Sequence, residues 1–164
     1  MSHVLDKNSL ADLKKYVVFH LNKSNQEVAN HIYESMESHE LIDYVSNHQK
    51  PTFHELLFRF IDQKGTSDVA IYKKAGIDRR HFSKIRSNPN YQIGKNTAIA
   101  FCMALELSLE EANKLLHAAG FTLSDSHTKD LVIQYCLQNE IYNLLDVNDA
   151  LDHFNLKPLL DFRA

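Results

Sequence analysis

The chain has 164 residues, 44% of them hydrophobic and 24% charged, which suits a single domain, alone or with an appended arm, and argues against disorder. Four glycines and three prolines are too few for the turns of an all-β fold. The net charge of −3 hides an uneven distribution: residues 1–50 carry five Lys/Arg against seven Asp/Glu, residues 51–105 nine against four, and residues 106–164 four against ten.

No apolar run approaches the roughly 20 residues that cross a bilayer. The opening Met1-Ser-His-Val-Leu-Asp-Lys7 lacks the charged-then-apolar pattern of a secretion signal. Cys102 and Cys136 both fall in apolar helical stretches, where free buried thiols are the default, although spacing alone leaves a disulfide open. The expectation is a cytoplasmic protein with no membrane association.

In chain order, Ser9 is the expected N-cap of a helix carrying Leu10, Leu13, Val17 and Leu21 on one face. Ser24 and Glu27 form a capping box ahead of Val28, Ile32 and Met36. A shorter run around Leu41, Ile42 and Val45 must end before Pro51, because the residue before a proline avoids the α region. Residues 46–52 are the expected joint between an N-terminal helical arm (1–50) and a main domain (51–164).

Within that domain, Thr52 and Glu55 make a second capping box, followed by Leu56, Leu57, Phe60 and Ile61 as a core face and Gly65 as the stop. A short helix over about 67–75 leads into the turn Ala75-Gly76-Ile77-Asp78, and Asp78 caps a helix over about 78–87. Ser87-Asn88-Pro89-Asn90-Tyr91 reads as a loop. Asn96 is the expected cap of an almost wholly apolar, hence central, helix. Ser108 and Glu111 form a third box, with Leu109, Ala112, Leu115 and Leu116 inward and Gly120 as the stop. Two last helices are expected near 127–139 (Leu131, Val132, Tyr135, Cys136) and 146–154 (Val147, Ala150, Leu151, Phe154). The fold class is therefore all-α.

The stretch Thr66 to Arg86 reads as a helix-turn-helix. Gly76 supplies the positive φ that a sharp bend needs, while Ile77, Phe82 and Ile85 plug the second helix into the core. Arg79, Arg80, His81, Ser83, Lys84 and Arg86 are left at or outside the margin. Gly76-Ile77-Asp78, Phe82-Ser83-Lys84-Ile85, Lys95-Asn96-Thr97-Ala98 and Leu107-Ser108-Leu109-Glu110-Glu111-Ala112 together resemble the Cro/CI-like (XRE-type) helix-turn-helix family over about residues 52–120. The resemblance implies a five-helix core with helical extensions at both ends. The chain also looks like a helical segment at the C-terminal end of uncharacterised bacterial proteins whose other domains are unrelated to transcription. One departure is Tyr72, four residues before the turn glycine, where the family usually has a small residue. Its bulk either holds the two helices further apart or points elsewhere.

The resemblance implies double-stranded DNA as the partner, with the second helix in the major groove. Arg79, Arg80 and His81 would then meet base edges, followed by Ser83 and Lys84, arginine being suited to the O6 and N7 acceptors of guanine. Arg86, Lys73, Lys74 and Lys95 stand where phosphate contacts are usual. One motif per chain implies a homodimer and a role in transcription regulation. The alternative is a protein-interaction module, an adaptor or inhibitor, whose basic helix receives an acidic protein partner. The bland reading is a solvated basic face with no ligand.

Other signals point away from catalysis and metals. The ten histidines lack ligand spacing: His31, His39, His48 and His54 lie in different elements, and no Cys-x-x-Cys accompanies them. Gln63-Lys64-Gly65-Thr66 matches only the tail of a P-loop, without the upstream glycine or strand. Asp146, Asp149 and Asp152 lack the glycine and terminal glutamate of a calcium loop and read as a solvated face. The expectation is a protein that is not an enzyme and takes no cofactor or metal.

Overall fold

The computed structural model describes residues 7–21 and 38–160, every regular element among them being an α-helix. The chain divides into two compact units, Met1–Gln49 and Lys50–Ala164. In the first, α1 spans Lys7–Leu21 and α2 spans Ser38–His48. Ser9 therefore lies inside α1 and does not cap it. Leu13 and Val17 are exposed and Leu10 is half-buried. Helix α2 ends at His48, ahead of Pro51. The expected capping box at Ser24 and Glu27, with Val28, Ile32 and Met36, lies outside the described residues.

The second unit contains α3 (Phe53–Gln63), α4 (Asp68–Lys74), α5 (Arg79–Ser87), α6 (Lys95–Ala104), α7 (Leu109–Ala118), α8 (Thr128–Gln138) and α9 (Leu144–His153). Both expected capping boxes in it are formed: Thr52 with Glu55 opens α3 and Ser108 with Glu111 opens α7. Gly65, Gly76 and Gly120 each adopt positive φ just past a helix end. At the bend between α4 and α5, Ile77 N–H donates to Tyr72 O (2.9 Å) and Gly76 N–H to Lys73 O (3.1 Å). These are the paired bonds of a Schellman stop, which needs a left-handed residue at Gly76.

Helix α6 is central. Every residue from Ala98 to Ala104 is buried, and α6 packs against α4 and α7, while α3 packs on α7, α4 on α5, α7 on α8 and α8 on α9. Its N-cap is Gly94, and Asn96 makes no cap. The Asn96 side chain instead accepts from Lys129 Nζ at 3.1 Å, because the helix begins at Lys95, two residues before the start that an Asn96 cap would need. Helices α8 and α9 form where the sequence places them: Val132, Ile133, Cys136, Leu137, Val147 and Leu151 face inward, and Leu131, Tyr135 and Phe154 face out. Cys102 and Cys136 are free and buried, and burial pushes the Cys102 thiol up to about 12. Among the described residues, no helix is long and apolar enough to cross a membrane.

The C-terminal helices are fastened to α6 by an ion pair between a half-buried lysine and a buried aspartate. Asp130 is 3% exposed and accepts from Lys95 Nζ at 2.7 Å and from Ser124 N–H at 2.9 Å, with His127 Nδ1 at 3.7 Å. Burial by itself raises the Asp130 carboxyl, but the Lys95 and Ser124 bonds and the charges of Lys95 and His127 outweigh it and hold the group below its ordinary value. A carboxylate with a depressed folded-state value stabilises the fold above its unfolded value of about 3.9, and that contribution is lost as pH falls through the folded value. Asp130→Asn should therefore cost about 1–3 kcal/mol at pH 7 in urea unfolding. The difference from wild type should close below about pH 4; a difference constant from neutral to strongly acidic pH would contradict this account.

Candidate nucleic-acid interface

Helix α5 has nine residues and only two large apolar ones, Phe82 and Ile85, three positions apart and both buried. That spacing places them on one stripe of the helix. The Phe82 ring lies among Tyr72 of α4 (centroids 5.4 Å apart), Phe58 of α3 (6.0 Å) and Phe101 of α6 (6.1 Å). Such tilted and edge-on pairs add to simple burial. Tyr72 thus points into the seam between α4 and α5, where its half-buried ring meets Phe82.

With Phe82 and Ile85 inward, the rest of α5 is turned out. Arg79, Arg80, Ser83 and Lys84 are exposed, and the helix contains no acidic residue. Asp78 caps it, its carboxylate accepting from His81 N–H at 2.8 Å, which satisfies an otherwise orphaned donor and suits the positive end of the helix dipole. His81 is half-buried, with Tyr91 from the following loop set edge-on to it at 5.8 Å. Asp78, Arg79, Arg80, His81, Lys84 and Tyr91 bound an open concavity of about 700 Å³. Lys73 and Lys74, in the last turn of α4, are exposed; Lys74 Nζ lies 4.0 Å from Glu106.

Two of the basic residues expected to meet phosphate are held elsewhere. The Arg86 guanidinium pairs with Asp68 at 2.8 Å and lies 4.5 Å from the centre of the Phe58 ring, while its carbonyl accepts from His54 Nε2 at 3.0 Å. It ties the end of α5 to α3 and α4. Lys95 is engaged with Asp130. Both arrangements join residues far apart in sequence, so spacing along the chain carried no sign of them. Tyr91 was also missed by the sequence reading, although an aromatic residue two positions after Pro89 was a visible signal.

Of the basic residues expected at the interface, Arg79, Arg80 and Lys84 on α5 and Lys73 on α4 are therefore free, with His81 and Ser83 beside them. Guanidinium and ammonium groups grouped this way can hold several anionic oxygens at once. Among the described residues, no three His, Cys, Asp or Glu side chains meet as a metal site would require. No protein-family model, curated protein or solved structure matches the chain.

The geometry separates surface residues from structural ones. Arg79→Ala, Arg80→Ala and Lys84→Ala should each leave stability within about 0.5 kcal/mol of wild type. Asp78→Ala should cost about 0.5–2 kcal/mol through loss of the cap. Thermal unfolding of the four variants checks this, and a large loss from any of the three basic substitutions would show that the face is structural.

Proposed function

We propose that this is a non-enzymatic DNA-binding protein of the XRE-like type, with α3–α7 as the five-helix core, α4 and α5 as the helix-turn-helix and α5 as the reading helix. The observation that carries the proposal is the outward set Arg79, Arg80, Ser83 and Lys84 on a helix rotationally fixed by Phe82 and Ile85. In this reading the start of α5 enters the major groove, with Arg79 and Arg80 toward base edges and Lys84 further along the helix. Lys73 and Lys74 flank it toward the phosphates. Arg86 and Lys95 serve the fold, holding α5 and α8 in place. Two copies acting together would supply the affinity that one short helix lacks, and regulation of transcription is the role that fits.

The excess of acidic residues in 106–164 opposes general attraction of a polyanion to the chain. Orientation, more than bulk attraction, would then govern encounter with DNA, and binding should be weak off-site and strongly salt-dependent.

The test is selection from a randomised duplex pool at low and moderate salt, comparing wild type with Arg79→Ala/Arg80→Ala/Lys84→Ala. Wild type should enrich a sequence that the triple variant does not. Lys73→Ala should weaken binding to all duplexes alike and flatten the log–log salt slope by about one. A dimer on DNA should space its reading helices about 34–36 Å apart, one turn of duplex. If the folded wild type ignores duplex even at low salt, DNA binding is refuted, and the basic helix is left as a surface for an acidic protein partner.

A further inference from the structure

Between residues 50 and 160, five large apolar side chains stand exposed: Val69, Leu131, Tyr135, Leu145 and Phe154. Three of these, Leu131 (45% exposed), Tyr135 (61%) and Phe154 (54%), converge on one groove between α8 and α9. Val132 and Ala150 complete its apolar lining, and the His153 ring sits edge-on to Phe154 at 5.4 Å. The groove encloses about 440 Å³. Apolar side chains gathered in one concavity offer a partner a place to dock.

Three features identify the occupant. The walls are two helices joined by the short turn 139–143, and the lining on α8 runs from Thr128 to Tyr135, about 10 Å or two turns of helix. A trough of this length and lining suits a helix with apolar anchors at i, i+4 and i+7. On α9 the exposed Asp146 and Asp149 lie one turn before the lining residues Ala150 and His153, a spacing that puts each carboxylate on the same side of the helix as its lining residue. A second copy set two-fold on the same groove would bring these carboxylates against their own kind, which disfavours self-pairing.

We propose that the α8–α9 groove docks a basic amphipathic helix of a partner protein. Its aliphatic stripe fills the trough between Leu131, Tyr135 and Phe154, and its lysines or arginines face Asp146 and Asp149. The site is independent of duplex binding, since none of its residues lies on α4 or α5, and either reading can fail without the other.

The experiment offers the full-length protein a display library of helices about 16 residues long, with leucine fixed at i, i+4 and i+7 and all flanking positions randomised. Wild type should enrich lysine and arginine in the flanks. A synthetic peptide of the enriched sequence should bind at least about tenfold more weakly to Tyr135→Ala/Phe154→Ala. Its binding to Asp146→Asn/Asp149→Asn should lose most of its salt dependence. These side chains are exposed, so far-UV circular dichroism should show an unchanged fold, and Tyr135→Lys provides a second, repulsive variant if the alanine pair unfolds. Enrichment of acidic flanks, no enrichment at all, or equal binding to folded variants would overturn the proposal. So would a wild-type dimer that the Tyr135→Ala/Phe154→Ala change converts to monomer in sedimentation velocity, since a second copy would then occupy the groove.

Discussion

The orientation of the basic helix depends on one buried ring. Phe82 is 3% exposed and meets aromatic side chains from three other helices, Phe58, Tyr72 and Phe101. A helix as short as α5 has little stability of its own and takes its position from packing. Once Phe82 and Ile85 are inside, 3.6 residues per turn leaves Arg79, Arg80, Ser83 and Lys84 no place but the surface. The same cluster accounts for Tyr72: a large residue is accommodated at the helix-turn-helix seam because its partner there is another ring.

A second constraint joins the C-terminal helices to this core. Asp130 would be costly to bury as an isolated charge, and it is satisfied by Lys95 at the start of α6 and by the Ser124 amide. The pair couples α8 to the central helix on which α4 packs. Exposed charge of the two signs also falls on different helices, Arg79, Arg80 and Lys84 on α5 and Asp146, Asp149 and Asp152 on α9. The second unit thus has two chemically distinct surfaces, an open basic concavity and an apolar groove.

Much of the local structure was legible because helix ends are written in adjacent residues. The boxes Thr52/Glu55 and Ser108/Glu111, the Asp78 cap and the stops at Gly65, Gly76 and Gly120 all have their partners within three to five positions. The reading failed where two signals competed or a signal was absent. Asn96 looked like a cap, but the preceding Gly94 already starts the helix. The outward turn of Leu131 and Tyr135 was not legible, because α8 carries apolar residues on more than one face, Ile133 and Leu137 among them, and periodicity does not say which face the neighbours will cover.

What the sequence determined by itself was therefore everything that acts over about one helical turn: the helices, most of their ends, the bend at Gly76 and the stripe of Phe82 and Ile85 that turns the basic residues outward. Only the tertiary structure decided which charges are free. Lys95 and Asp130 are 35 positions apart and His54 and Arg86 are 32 apart, so no local pattern could pair them. Arg86 was likewise claimed by Asp68 and by the face of Phe58. Short-range hydrogen bonding and periodicity leave a trace in neighbouring residues, whereas the competition of distant partners for one charge or one apolar face is settled only when the helices pack.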